Sequence, residues 1–372
     1  MPAVAQNIPS SIQMIAIDMD GTLLTDEGQV SPRNLAALRA AESAGIQIVI
    51  ATGRRHCFAM RVLRPLDLPP ENALISSNGT VTRTIGSASA TVPIASQLIA
   101  HSHLPLSTTL WLCKHIDEFR NALVLTFDRT RADGEDSRGA LVVEHLDELT
   151  SSITRWMTIN APYIAHINPI ERSLDPIEGD QTDANLPIQA MLCGTIERMA
   201  RAEARLLEHP GVSAYALPTG RTGRTTLQSP ASDLPKTAPS IAGSTQQMAD
   251  ETLVESDKIT PIITLHRTEY PARDLTILDI LPANCSKGAA LLALAKSKGI
   301  APAQIMAIGD NWNDLSMLQV AGHAVLMDNA PEDLKALARN CNWSIGPSNQ
   351  ADGVAQAIES ILSIAVASSP TT

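Results

Sequence analysis

A chain of 372 residues exceeds what one ordinary core holds and suits two domains, or one domain carrying a large insertion. Apolar residues make up 44% of it and aromatic residues only 3%, so the core is expected to be mainly Ala, Ile, Leu and Val, which suits an α/β protein. A net charge of −11, with no basic stripe in either half, argues against nucleic acid or an anionic membrane as partner, so any anionic substrate must be met by local groups.

The N-terminal MPAVAQNIPSSIQ has neither a charged leader nor a long apolar stretch, and no later run approaches the roughly 18 uncharged apolar residues of a membrane span, so the compartment expected is the cytoplasm. Next come MIAIDMD (14–20) and IQIVIATGRR (46–55), short aliphatic runs that end at once in polar residues, as does IMAIGDNWND (305–314) much later. Uninterrupted runs of this length fit strands covered on both faces. PRNLAALRAAESAG between the first two reads as an amphipathic helix closing on Gly45. This βαβ alternation predicts a Rossmann-like parallel sheet, whose ligands sit beyond the carboxyl ends of the strands.

The texture then changes. ALVLTF, ALVVEHL, IQAMLCG, TIERMARAEARLLEHPG, VSAYAL, PIITLHR and LTILDIL suggest an inserted α+β domain. Within it, SPASDLPKTAPSIAGSTQQMADETLVESDK (229–258) buries too little to offset its ordering entropy and is expected to be a mobile, disordered loop; DRTRADGEDSRG (128–139) reads as a second such loop. Alternation resumes with CSKGAALLALAKSKG, a helix with Ser286 as N-cap and Gly299 at its end, followed by IMAIG, NDLSMLQVAG, HAVLM, PEDLKALARN and DGVAQAIESILSIA as strand, helix, strand, helix and helix. The division expected is 1–82 as the first part of the main domain, 83–281 as the insertion and 282–372 as the second part. The five cysteines, Cys57, Cys113, Cys193, Cys285 and Cys341, are far apart, match neither C-x-x-C nor a zinc spacing, and read as reduced thiols.

The chemistry concentrates at the strand ends. Asp18 and Asp20, at i and i+2, project to the same side, and Gly21 lets the backbone turn sharply beside them. Two crowded carboxylates repel and need a cation or a shared proton. Asp310 and Asp314 bring further hard oxygen to an adjacent strand end, enough for one Mg²⁺, which typically takes one or two carboxylates, waters and substrate phosphate. Alone, an Asp-Gly after a strand is only a turn. The ordered set DMDGT (18–22), ATGR (51–54), SNG (77–79), SKG (286–288) and GDNWND (309–314) says more.

That set, with NAPEDLKALA and DGVAQAI near the end, resembles the haloacid dehalogenase superfamily, and within it the Cof-type phosphatases with a large cap inserted after the second motif. The resemblance covers 14 to about 82 and 280 to 358; the cap is matched only in outline. It implies that Asp18 is the nucleophile and Asp20 the general acid/base, its side chain free to carry a proton. It further implies that Met19, Thr52, Gly53, Lys287 and Asn313 hold the transferring phosphoryl group, with Mg²⁺ on Asp18, the Asp20 carbonyl and Asp310, and Asp314 supporting Lys287 or the metal from behind. The activity implied is Mg²⁺-dependent hydrolysis of a small phosphorylated metabolite such as a sugar phosphate, nucleotide or vitamin phosphate, by a monomer or weak homodimer. A sugar phosphomutase using the same aspartyl phosphate, and a non-catalytic regulatory or scaffold protein on the same fold, are the alternatives.

Other residues carry less. Arg54 and Arg55 are suited to touching a substrate anion or to pairing with acidic neighbours. Asn78-Gly79 resembles the family's hinge into the cap, yet as bare sequence is a turn. Trp312 departs from the family's GDGEND pattern and either packs or narrows the pocket entrance. His56, His101, His103, His115 and His166 show no metal spacing and are expected to be surface or satisfied histidines.

Overall fold

The computed structural model describes residues 12–87, 94–131, 134–145, 151–175, 185–214, 260–270 and 273–367. The chain opens with β1 (Met14–Asp18), α1 (Pro32–Ser43), β2 (Gln47–Ala51), α2 (His56–Leu63), β3 (Ala73–Ser76), β4 (Val81–Thr84) and β5 (Leu98–His101). It then builds α3 (Leu106–His115), β6 (Leu123–Thr126), β7 (Leu141–Val143), α4 (Ser151–Asn160), β8 (Ile164–His166), β9 (Gln189–Gly194), α5 (Ile196–Leu207), β10 (Val212–Ala214), β11 (Ile263–Tyr270) and β12 (Leu275–Pro282). It closes with α6 (Lys287–Ser297), β13 (Ile305–Gly309), α7 (Leu315–Val320), β14 (His323–Met327), α8 (Glu332–Asn340), β15 (Ser344–Gly346) and α9 (Gly353–Ala367).

Among the described residues the strands form two sheets. The first runs β15-β14-β13-β1-β2-β3-β4-β5, parallel from β15 through β3 and antiparallel beyond. Its central strands are apolar on both sides because helices cover both faces. Ile15 and Ile17 join one core with Leu38 of α1, Leu63 of α2 and Ile358 of α9; Met14 and Ala16 point the other way, into Leu291 of α6, Leu318 of α7 and Leu334 of α8. Helix starts follow the caps expected of them. Ser31 accepts from the Asn34 N–H ahead of Pro32, and Ser286 accepts from the Ala289 N–H at the head of α6.

The second sheet runs β10-β11-β12-β9-β6-β7-β8 and is mixed. One face buries Leu192, Leu265 and Leu278 against α3 and α5, through Leu112, Met199 and Leu206. Its other face carries Met191, Cys193 and Ile277 beside Trp156 and Met157 of α4.

Several expectations differ from what folds. The first sheet does not end at residue 82: β4 pairs antiparallel with β3 and β5 with β4, so its last strand reaches His101. Of the stretch expected to be a loose loop at 128–139, the described residues 128–131 and 134–139 are tied down. Thr130 bridges to Asp136, Arg55 pairs with the buried Asp136, Arg83 holds Asp128 at 2.7 Å and Arg61 holds Glu135 at 2.9 Å, so ion pairs clasp this segment to α2 and β4. Segment 229–258 lies outside the described residues. All five cysteines are unpaired thiols, four of them buried. His101, His103, His115 and His166 are exposed or half-buried. His56 is neither at the surface nor satisfied: it is buried, with neither ring nitrogen hydrogen-bonded among the described residues. Burial, then the charge of Arg83, pushes its imidazole down to about 4, so it stays neutral. No helix among the described residues is long and apolar enough to cross a membrane.

Candidate functional site

From β1 the chain moves one way across the first sheet, to β2 and β3; from β13 it moves the other way, to β14 and β15. Beyond the carboxyl ends of such strands, at the point of reversal, a crevice opens. Asp18 ends β1, Thr52 follows β2 and Asp310 follows β13, and the ladders set Asp18 against Ala51 and Ile17 against Ile308. Three chain segments far apart in sequence thus deliver polar side chains to one place.

Local backbone fixes their positions. Gly21 turns the chain at φ +79°, and a Cβ there would stand 2.4 Å from Asp310 Oδ2, so a side chain fits neither the conformation nor the space. Thr22, fully buried, donates from Oγ1 to Asp310 Oδ1 at 2.9 Å. Asn329 Nδ2 donates to the Gly21 carbonyl at 2.8 Å and to Asp310 Oδ2 at 3.3 Å. Neither Thr22 nor Asn329 stood out in the sequence; the first reads as part of a turn and the second as a loop residue.

Lys287, at the start of α6, is wholly enclosed, and its Nζ donates to Asp18 Oδ1 and to Asp314 Oδ1, each at 2.6 Å. Asp314 spends its other oxygen on the backbone N–H groups of Asp310 and Asn311, at 3.0 and 3.1 Å. Asp314 is therefore committed as a brace for the lysine and the loop. Burial pulls the Lys287 ammonium down, but Asp18 and Asp314 outweigh it and the net shift is upward. Burial, then Asp314, holds the Asp18 carboxyl well above its ordinary range. Burial, then Asp314, likewise pushes Asp310 up to about 7. One ammonium among three buried carboxylates leaves the cluster short of positive charge.

Oxygens of Asp18, Asp310 and Asp314 lie within 4.8 Å of one another. With Asp314 engaged by three donors, Asp18 and Asp310 remain as the carboxylates able to hold a hard divalent cation, and an all-oxygen, partly neutralised cluster fits one.

Asp20 differs from the expectation of a free side chain. It is exposed, and Arg54 clasps both its oxygens, Nε to Oδ2 at 2.8 Å and Nη2 to Oδ1. An acid placed to donate a proton has to leave that pair first. Thr52 is buried and its Oγ1 accepts from the Arg54 N–H at 3.1 Å, while Gly53 is exposed beside it. Met19 sends its side chain into the core, so only its backbone is available to the crevice. Asn313 sits half-buried on the Trp312–Asp314 turn, and Trp312 packs against the α6–α8 core.

The second sheet also reaches this place. Asn78 is buried in the left-handed region at φ 54°, with its N–H on the Thr52 carbonyl at 3.1 Å and its Nδ2 donating to Asp279 Oδ2 of β12 at 3.0 Å. Opposite Asp279, on the same face, is His266 of β11. Sequence reasoning missed this contact.

Comparison with known proteins follows the same lines. The chain matches the family model described as haloacid dehalogenase-like hydrolase over residues 15–127 and 249–358. It is 27% identical to the 5-amino-6-(5-phospho-D-ribitylamino)uracil phosphatase YwtE of Bacillus subtilis, across 95% of this chain and 99% of that protein. It is also 27% identical to phosphatase YwpJ of that organism, across 94% of this chain and 100% of the other. A solved haloacid dehalogenase-like hydrolase from Bacteroides thetaiotaomicron shares the fold at a TM-score of 0.60 and 21% identity, covering 94% of this chain and 100% of that one.

Proposed function

From the haloacid dehalogenase-like hydrolase family, to which this chain belongs, we propose that the protein is a Mg²⁺-dependent phosphatase that hydrolyses a small phosphorylated metabolite through an aspartyl phosphate on Asp18. The observation that carries this reading is the Asp18 carboxylate at the sheet's reversal, steadied at 2.6 Å by Lys287 and flanked by Asp310 and the Thr52–Gly53 loop. The phosphorylated ribitylaminouracil named for YwtE supports a substrate of sugar-phosphate, nucleotide or vitamin-phosphate type.

Asp18 attacks phosphorus with the oxygen not held by Lys287, forming a P–O bond as the bond to the leaving oxygen breaks. Asp20, released from Arg54 and protonated from solvent, gives that proton to the leaving oxygen. Lys287, Asn313, the Thr52 hydroxyl and the N–H groups of Met19 and Gly53 meet the equatorial oxygens. Asp20, now ionised, takes a proton from the water that attacks phosphorus, and the Asp18–P bond breaks to release inorganic phosphate. Asp18, Asp310 and the Asp20 carbonyl would hold Mg²⁺, which would supply positive charge against the phosphoryl oxygens.

Chelation provides the direct test. EDTA should abolish phosphate release from an aryl phosphate and added Mg²⁺ restore it; full activity in EDTA would remove the proposed site. Without metal, Asp310 holds a proton well above the ordinary carboxylate range, so this group stabilises the fold at low pH and loses that effect as pH rises through about 7. Mg²⁺ has to displace that proton at low pH but not at high pH. The rise in melting temperature on adding Mg²⁺ is therefore expected to be larger at about pH 8 than at about pH 5.5; equal rises would contradict the assignment.

The roles of the two aspartates separate by leaving group. Asp20→Asn should slow turnover by roughly 10² to 10⁴, the usual range for a lost general acid/base, and less for an aryl phosphate than for an alkyl one. Rates plotted against leaving-group pKa check this, and an equal loss on both substrates would leave Asp20 a structural role only.

A further inference from the structure

The contact between Asn78 and Asp279 has an unusual imbalance. Asn78 Nδ2 is spent on Asp279, while its Oδ1 is buried with no hydrogen bond among the described residues. That oxygen stands 3.1 Å from where a Cβ on Gly53 would be, against the loop we read as holding the phosphoryl group. A buried acceptor without a donor is costly, and an oxygen turned toward a bound anion adds repulsion. The backbone cannot relieve this, because the left-handed turn is pinned by the Ser77 and Asn78 N–H groups on the Arg54 and Thr52 carbonyls at 2.9 and 3.1 Å. Rotation of the amide can: a half-turn exchanges its oxygen and nitrogen. The turned amide needs a donor from Asp279, which only the protonated acid has.

We propose that Asp279 takes a proton from solvent when a phosphoryl group or similar anion binds, donates it in a hydrogen bond to Asn78 Oδ1, and so turns Asn78 Nδ2 toward the anion held at Thr52 and Gly53. Asp279 is then a positioning residue, acting through Asn78, and the inference rests on the reading of that loop as the phosphoryl site.

The surroundings leave Asp279 as the group able to respond. It is half-buried on β12, facing His266 and Tyr270 of β11, Cys193 of β9 and Asn78. Burial, then Lys287, pushes His266 down to about 4, and burial, then Asp279, pushes Cys193 up to about 12. Burial, then Asp20, raises the Tyr270 phenol, with Arg273 opposing. All three are neutral at pH 7, and the charged Lys287 stays paired with Asp18 and Asp314. Desolvation pushes Asp279 up to about 7 against the opposing pull of the Asn78 bond.

Sulfate, a dianion throughout the neutral range, is the probe, titrated calorimetrically into the Mg²⁺-loaded protein between about pH 5.5 and pH 8.5. The wild-type dissociation constant should rise about tenfold per pH unit above about pH 7, with net proton uptake on binding. Asp279→Asn, whose amide can always donate to Asn78, should bind sulfate as tightly as the wild type does at low pH and show no such rise. Asn78→Gly, at a backbone conformation glycine adopts freely, should bind about tenfold more weakly at low pH and also lose the rise. An unchanged pH dependence in either variant overturns the inference while leaving the phosphoryl site standing. No sulfate binding by the wild type at any pH overturns both.

Discussion

Asp18→Asn is expected to lose turnover by about 10⁴-fold or more while keeping a folded protein, because it removes the proposed nucleophile itself and not a group that assists it. The amide is nearly isosteric, and its oxygen can still accept from Lys287, whose second carboxylate, Asp314, remains at 2.6 Å. Folding should even gain. Burial, Asp314 and Asp310 all disfavour a charge on Asp18, so in the metal-free protein this carboxyl is held above its ordinary range. By linkage such a group stabilises the fold at low pH and loses that contribution as pH rises. The variant lacks the group, so without metal its melting temperature should fall less than the wild type's as pH rises above the ordinary carboxylate range. Calorimetric melting and steady-state hydrolysis of an aryl phosphate read both effects. A variant that is active, or one that does not fold, contradicts the role given to Asp18.

Lys287→Ala is expected to do the reverse and damage the fold as well as the chemistry. Lys287 is fully buried and is the cation between Asp18 and Asp314. Removing one partner of a buried ion pair costs about 3–5 kcal/mol, because the charge left behind has neither water nor a counterion. Here two carboxylates lose their shared partner. The denaturation midpoint should fall accordingly, and lowering the pH should recover part of the loss by protonating Asp18 and Asp310. Turnover should fall with it, since in the proposed reaction the same ammonium orients Asp18 and meets the transferring group. A variant as stable as the wild type would mean that Lys287 is solvated rather than sealed between the carboxylates.

Much of this was legible in the residues. β1, β2 and β13 are uninterrupted aliphatic runs that stop at a polar residue, and that pattern has one physical reading when both faces of a sheet are covered. Ser286, set just before a helical run, announces both a cap and the position of Lys287. What stayed hidden depends on partners distant in the chain. Asp279 sits inside the apolar run LTILDIL as a mere interruption, and its partner Asn78 lies 201 residues away in what looks like an ordinary Asn-Gly turn. β4 and β5 lack a clean alternation, since β5 is exposed at all four positions, so their return onto β3 leaves no pattern to read. Arg54 could be seen as a cation near the site, but not that it would clasp Asp20, because charge order along a chain does not choose pairs.

The most direct test of the central claim is to look for the covalent phosphate. Wild-type protein with Mg²⁺ and an aryl phosphate, quenched in acid within the first turnover and digested, should yield one peptide carrying a phosphoryl group on Asp18, labile to hydroxylamine as an acyl phosphate is. Asp20→Asn should accumulate more of it, because opening the intermediate lacks its base. Phosphate released in the first turnover with no label on the protein, or a label on any residue other than Asp18, would contradict the account.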